Sequence, residues 1–134
     1  SIYRKVLQLS EKGYLQSDVV KGSKFADKAV YSITDAGRTY FKELMALYAA
    51  GPVPLLFDFN VVITNLNKME KAEAANLIST LRQSIQSSSD ANEAYAKEFA
   101  DIPLVGRTIF EQQRLLYNAL LEWLNQFERQ FSQK

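Results

Sequence analysis

The sequence predicts a mainly α-helical protein with one small β-hairpin, a fold of the α+β class. Three observations carry this prediction. Apolar residues recur at helical spacing near the start of the chain and through most of its second half. Two short stretches rich in β-branched residues enclose a polar, lysine-rich loop, which is typical of a hairpin. Gly and Pro residues separate the helical stretches from one another.

The first predicted element is an amphipathic helix over residues 2–12. Ile2, Val6 and Leu9 share one of its faces, and Gly13 ends it because glycine readily adopts the left-handed cap conformation. Leaving three such side chains in water would forfeit about 1.5–3 kcal/mol each. We therefore expect the stripe to be covered by another part of this chain or by a second copy.

A hairpin and a second helix are predicted next. Strands are expected over residues 14–20 and 29–34, joined by the lysine-rich loop of residues 21–28. Thr34 is a good N-cap, and the negative charge that follows it suits the helix dipole. The helix that begins there is expected to end near residue 50, where two prolines in the sequence GPVP prevent its continuation.

The second half of the chain carries only helical patterns. A short apolar helix is expected over residues 55–66, and Asn67 with Glu70 forms a plausible capping pair before the next helix. The apolar face of that helix is formed by Met69, Leu77, Ile78, Leu81 and Ile85. The sequence SSSDAN, residues 87–92, is either a break or a polar stretch of one long helix.

The last predicted helix runs from residue 107 to about residue 131, after an interruption at residues 102–106. Its apolar residues exceed the single face that packing against one core requires. A homodimer would bury this surplus. The residues expected at that interface are Leu116, Leu120, Trp123, Leu124 and Phe127. The aromatic stripe could also line a ligand pocket, but packing between subunits is favoured.

Composition excludes most catalytic chemistry. The chain has no cysteine and no histidine, so thiol, Ser-His-Asp and common zinc sites are ruled out. No stretch is typical of a signal peptide or a membrane span, and we expect a cytoplasmic protein without metal or cofactor. The net charge is only +1, but residues 1–49 hold eight basic against five acidic side chains. Positive charge is therefore concentrated at the front.

Several short motifs stand in order over residues 1–38: Ser1-Ile2-Tyr3-Arg4, Val6, Leu9, Gly13, Val30-Tyr31-Ser32-Ile33-Thr34 and Ala36-Gly37-Arg38. Together they resemble the PadR family of winged-helix transcriptional regulators, and the lone Trp123 late in the last helix fits the same family. The resemblance implies a partial winged-helix domain over residues 1–50, which begins at the recognition helix. It also implies a helical dimerisation domain over residues 51–134. We expect the chain to be a truncated regulator without the family's two preceding helices.

The resemblance assigns the polar face of the first helix to the major groove of DNA, where hydroxyl, basic and amide groups contact phosphates and bases. The residues concerned are Ser1, Tyr3, Arg4, Lys5 and Gln8. The hairpin loop becomes the wing, with Lys21, Lys24 and Lys28 on the DNA backbone. Judged without the resemblance, the same residues also fit an ordinary solvated helix face and a solvated loop.

The function implied is DNA binding that represses transcription, by a homodimer on a double-stranded operator. In the PadR family some members sense phenolic or drug-like compounds between their two subunits, which makes a planar aromatic effector a further expected partner. The alternative is a module that senses an effector or binds a protein and no longer touches DNA. Enzyme function is not expected, because no paired acids or phosphate-binding loop stand in a catalytic context.

Overall fold

The computed structural model describes residues 1–22 and 27–133 and divides the chain into two compact units, Ser1–Leu55 and Leu56–Lys134. The first unit contains helix α1 (Ile2–Glu11), strands β1 (Leu15–Val20) and β2 (Lys28–Ile33), and helix α2 (Asp35–Ala50). The second contains α3 (Asn60–Asn65), a 3-10 turn (Leu66–Lys68), α4 (Lys71–Glu98) and α5 (Leu104–Ser132). The prediction of a mainly helical fold with one hairpin is confirmed.

Helix α1 begins and ends as its sequence predicts. The Ser1 side chain accepts a hydrogen bond from the backbone N–H of Arg4 at 3.4 Å. At the other end Gly13 has a φ of +82°, the left-handed conformation that side chains with a Cβ rarely adopt. The backbone N–H of Tyr14 then donates to the Leu9 carbonyl at 2.9 Å, which turns the chain directly into β1.

Strands β1 and β2 pair antiparallel, in a register that runs from Leu15 opposite Ile33 to Val20 opposite Lys28. Because side chains alternate across a strand, Leu15, Tyr31 and Ile33 share one face of the hairpin. Lys28, which the sequence placed in the loop, is the first residue of β2.

Thr34 joins α1, the hairpin and α2 at one point. Its hydroxyl accepts a hydrogen bond from the N–H of Gly37 at 3.0 Å, as an N-cap does, and donates to the Gly13 carbonyl at 2.7 Å. Its own N–H donates to the Tyr14 carbonyl at 3.0 Å. The ring of Tyr14 stacks on that of Tyr40, with centroids 4.3 Å apart. We call this arrangement the Thr34 joint; it fixes where α1 lies relative to the hairpin.

The first unit holds no buried large apolar side chain among its described residues, and Gly37 is the one residue there that is buried. Within the first unit the opening stripe is not covered, contrary to the expectation for its own neighbours. Ile2 is 82% exposed, and Val6 and Leu9 are only half-buried, because no described element of this unit lies over the start of α1. Cover by a second copy stays a prediction.

The second unit has the hydrophobic core. Helices α4 and α5 pack antiparallel, as ion pairs from Arg82 to Glu128 and from Glu93 to Arg114 show. Their buried faces meet the 3-10 turn, and Leu66 and Leu124 are essentially without exposed surface. The buried apolar residues of this core are Leu66, Ala74, Ile78, Leu81, Ile85 and Leu124.

Three boundaries in this unit differ from the predicted ones, and the structure decides between the two alternatives left open for residues 87–92. The short helix begins only at Asn60, whereas the sequence predicted a start at residue 55. Asn67 lies in the 3-10 turn, so Glu70 occupies the N-cap of α4 and Met69 lies outside that helix. The SSSDAN sequence is part of the uninterrupted α4. Helix α5 begins at Leu104, just after Pro103, because proline suits a helix start.

Candidate nucleic-acid interface

The predicted DNA-facing residues of α1 all lie at the surface. Ser1, Tyr3, Arg4, Lys5 and Gln8 are exposed, with Tyr3 at 67%. Lys5 follows Arg4 by one position and Gln8 follows Arg4 by four, so the helix brings the three residues onto one side. The apolar stripe of Ile2, Val6 and Leu9 occupies another side, so this short helix has one polar surface and one apolar surface.

Two of the three wing lysines lie together at one end of the hairpin. Lys28 opens β2 opposite Val20, and Lys21 follows Val20 directly along the chain. Both lysines are exposed. Lys24 lies outside the described residues. The hairpin end therefore carries two positive charges at a place fixed by strand pairing.

Two residues orient the site although sequence reasoning did not assign them to it, namely Thr34 and Gly37. A Cβ on Gly37 would meet the Tyr14 carbonyl oxygen and, at 2.7 Å, the Cγ1 of Ile33. Only glycine allows α2 to approach the turn after α1 this closely. The signal was present in the sequence as Thr34 followed three residues later by glycine, but spacing alone gives no indication of what the glycine faces.

The predicted dimer interface is divided between the surface and the core of α5. Leu116 is 38% exposed, and Leu120, Trp123 and Phe127 are half-buried. Leu124 requires a correction, because it is 0% exposed within its own chain and a partner cannot reach it. Apolar surface that the interface prediction omitted lies on the first half of this helix: Leu104, Val105, Ile109 and Leu115.

Aromatic rings form a continuous row along one side of the second unit. Phe57 stacks on Phe59 with centroids 5.1 Å apart, and Phe59 stacks on Trp123 at 6.0 Å. The row continues from Trp123 to Phe127 at 6.3 Å and on to Phe131 at 5.5 Å. Such pairs stabilise by about 0.5–1.5 kcal/mol beyond the area they bury. The row thus fastens the segment before α3 to α5.

Charges between α4 and α5 are paired. Arg114 donates to both carboxylate oxygens of Glu93, at 2.7 and 3.1 Å, and also contacts Glu111 at 2.7 Å. The hydrogen bond from Arg114 is the main reason that the pKa of Glu93 lies below its ordinary value, and the same contact raises the pKa of Arg114. These ion pairs hold α4 and α5 together, and we call them the α4–α5 clamp.

Within the described parts of the chain, no three potential metal ligands cluster together. The described helices also include none with the length and hydropathy needed to cross a membrane. The described residues thus form a short helix with a polar exposed side, a hairpin bearing lysines at its end, and a separate pair of long helices.

Comparisons with known proteins agree with this arrangement. No family model and no curated protein sequence matches the chain. Among solved structures, Bacillus subtilis PadR in complex with operator DNA matches with a TM-score of 0.74 and 15% identity, over 95% of this chain and 75% of that one. The same protein in complex with p-coumaric acid gives 0.70 and 16%, over 94% and 73%.

A third match is the PadR-like transcriptional regulator BC1756 from Bacillus cereus. It has a TM-score of 0.68 and 22% identity, over 99% of this chain and 77% of that one. At such low identity the similarity is one of fold, and it extends through both units. The chain is therefore PadR-like in its fold, as the motifs of residues 1–38 predicted.

Proposed function

We propose that the chain is a DNA-binding transcriptional regulator of the PadR type, which acts as a repressor. The observation that carries the proposal is the Thr34 joint, which holds the polar side of α1 and the lysine-bearing end of the hairpin in one fixed relation. A helix in the major groove with a wing on the adjacent backbone needs that relation. The fold shared with a regulator solved on operator DNA supports it.

In this proposal α1 enters the major groove. Arg4 and Gln8 can form hydrogen bonds to base edges, and the hydroxyls of Ser1 and Tyr3 contact phosphates. Lys21 and the other two wing lysines neutralise phosphates beside the groove. Each phosphate contact contributes about 0.9 to the slope of log affinity against log salt.

Two copies, joined through the exposed apolar side of α5, would present two α1 helices to half-sites one helical turn apart, about 34 Å. The free apolar surface of Leu116 and of the first half of α5 supports a second copy as the partner. Operator DNA bound in this way would be closed to transcription, which is the repressor role. The proposed location is the compartment that holds the DNA, the cytoplasm.

The test is a titration of duplex DNA, selected from a random library by the chain itself, at two salt concentrations. Arg4→Ala should weaken binding by about 1–3 kcal/mol if Arg4 contacts a base. Lys21→Ala should weaken binding to all sequences and reduce the salt slope by about 0.9. Lys68→Ala removes the same charge from an exposed site in the second unit and serves as the control.

Two outcomes would contradict the proposal. One is the failure of the library to yield any preferred sequence. The other is an Arg4→Ala variant with the affinity and salt slope of the Lys68→Ala control, since both variants lower the charge of the chain equally. A general electrostatic attraction to DNA would give that second result.

The second candidate function is a module that senses a planar aromatic compound and does not bind DNA. The row of rings around Trp123 favours it, and a protein of the same fold has been solved with p-coumaric acid. Quenching of Trp123 fluorescence by planar aromatics, in a chain that fails to bind DNA, would select this function. Neither candidate is an enzyme, and the regulators that share the fold support that view.

A further inference from the structure

A cleft opens where the start of α4 lies beside the end of α5. It has a volume of about 150 Å³, and each helix contributes three residues to its lining. Because these residues recur three or four positions apart, each set lies on one side of its helix. The lining residues are Lys71, Ala75, Ile78, Glu128, Phe131 and Ser132. The residues predicted for the dimer interface lie elsewhere on α5.

The inner part of the cleft is apolar. Ile78 is 2% exposed and belongs to the hydrophobic core, and Phe131 is half-buried at the end of the aromatic row. Ala75 is exposed and adds only a methyl group to the lining. A cavity of this volume has room for about six carbon atoms. An aliphatic group of that size would bury apolar surface here, which favours its binding.

Two opposite charges belong to the same cleft. The Arg82 guanidinium donates to the Oε1 of half-buried Glu128 at 2.7 Å, which fixes the carboxylate and leaves its Oε2 without a partner among the described residues. Arg82 is itself held by the Oδ1 of Asn125 at 3.1 Å. Lys71 is exposed, and among the residues that the structure describes it takes part in no ion pair. The cleft therefore offers one fixed carboxylate oxygen and one ammonium group.

The helix dipoles favour the same separation of charge. Helix α4 begins at Lys71 and has the positive end of its dipole there, while α5 ends at Ser132 with the negative end of its dipole. A bound carboxylate is therefore favoured on the Lys71 side and a bound ammonium group on the Glu128 side. A ligand with only one of these charges gains one partner and meets one like charge.

We propose that this cleft binds a free α-amino acid with an apolar aliphatic side chain. The ligand side chain lies on Ile78 and Phe131. Its carboxylate pairs with Lys71, and its ammonium group donates to the Glu128 carboxylate. The site goes beyond the proposed function, since it depends neither on DNA binding nor on an aromatic effector. Binding is measured on the chain alone, so failure of either candidate function would not affect the result.

The test compares L-leucine with two analogues that each lack one of its charges, 4-methylpentanoate and 3-methylbutylamine. Each compound is titrated into the full chain, labelled with ¹⁵N, and followed by NMR at neutral pH, where L-leucine is a zwitterion. We expect L-leucine to bind with a Kd on the order of 1 mM, the range for so small a ligand, and to shift the amide signals of Ala75 and Ile78. Both analogues should bind about tenfold more weakly, because each loses an ion pair and keeps a like charge nearby.

The variant Ala75→Leu fills the cleft. Leucine is a good helix former, and Ala75 is exposed, so the helix should tolerate the larger side chain. The variant should reduce the affinity for L-leucine by about tenfold or more, because its side chain takes the space of the ligand. Ala72→Leu is the matched control, because Ala72 is exposed on the same helix and does not line the cleft.

The variant Lys71→Gln tests the charge pairing and keeps most of the side-chain stem. It should weaken the binding of L-leucine by about three- to fivefold, the range for an exposed ion pair. It should strengthen the binding of 3-methylbutylamine, because the amine no longer meets a like charge. Lys68→Gln removes the same charge from an exposed position outside the cleft and is the control. Glu128 is left unchanged, because it also pairs with Arg82.

Binding of L-leucine to wild type and to both controls, with loss in Ala75→Leu and weakening in Lys71→Gln, supports the proposal. It is overturned if L-leucine does not bind, or if either analogue binds wild type as tightly. It is also overturned if Ala75→Leu or Lys71→Gln binds L-leucine as its matched control does. The NMR spectrum checks that each variant is folded, and Lys71→Gln decides alone if Ala75→Leu does not fold.

Discussion

Replacing Leu124 with alanine distinguishes a core residue from an interface residue on α5. Leu124 is 0% exposed within its own chain and belongs to the cluster that includes Leu66 and Ile78. Leu→Ala at buried sites costs about 2–5 kcal/mol, as lost transfer free energy plus a cavity term. Because the whole Leu124 side chain is buried, we expect the free energy of unfolding to fall by about 3–4 kcal/mol.

The assay is urea unfolding of the full chain, followed by far-UV circular dichroism and by Trp123 fluorescence. A domain of this size has a dependence on urea near 1–1.5 kcal/mol/M, so the midpoint should fall by about 2–4 M. If the leucine packs only within its own chain, the loss should be the same at low and at high protein concentration. A residue at a dimer interface would instead give a loss that varies with concentration.

Leu116→Ala is the matched control on the same helix. Leu116 is 38% exposed, so its truncation should cost less than about 1 kcal/mol in unfolding of the single chain and should weaken self-association instead. Sedimentation at several concentrations measures that association. A loss below about 1 kcal/mol for Leu124→Ala, or one that disappears on dilution, would refute the assignment of Leu124 to the core.

Two further predictions concern the Thr34 joint and the α4–α5 clamp. Gly37→Ala should weaken hydrogen-exchange protection in the hairpin and α1, because its methyl group would meet the Tyr14 carbonyl, whereas Gly51→Ala, with 3.6 Å to the nearest atom, should not. Glu93→Gln should destabilise the chain at neutral pH but not in strong acid. Arg114 holds the folded pKa of Glu93 below its ordinary value, so this contribution is fully present above the ordinary value and is lost as the pH falls through the folded one; unfolding followed over a pH series from neutral into strong acid tests it.

Elements set by local signals could be predicted from the sequence. Gly13 ends α1 and Thr34 begins α2 because a left-handed cap and a hydroxyl N-cap depend only on neighbouring backbone. The start of α4 could not be predicted in this way. Asn67 is the better capping residue, but it lies in the turn begun by Leu66, which is 1% exposed and packs in the core. Tertiary packing overrode the local preference there.

For the candidate site, the polar side of α1 followed from residue type and spacing alone. The division of α5 into core and surface did not, because several apolar residues there follow one another and the sequence does not indicate which faces α4. Trp123 and Leu124 are adjacent, yet the first is half-buried and the second fully buried.

The absence of buried large apolar side chains from the described first unit has a thermodynamic consequence. The heat capacity change of unfolding follows the apolar area that becomes hydrated, so opening of this unit should carry a small one. The contacts that join its elements are the hydrogen bonds at Thr34 and the stacked rings of Tyr14 and Tyr40. The stability of the unit proposed to read DNA should therefore curve less with temperature than that of the α4–α5 core.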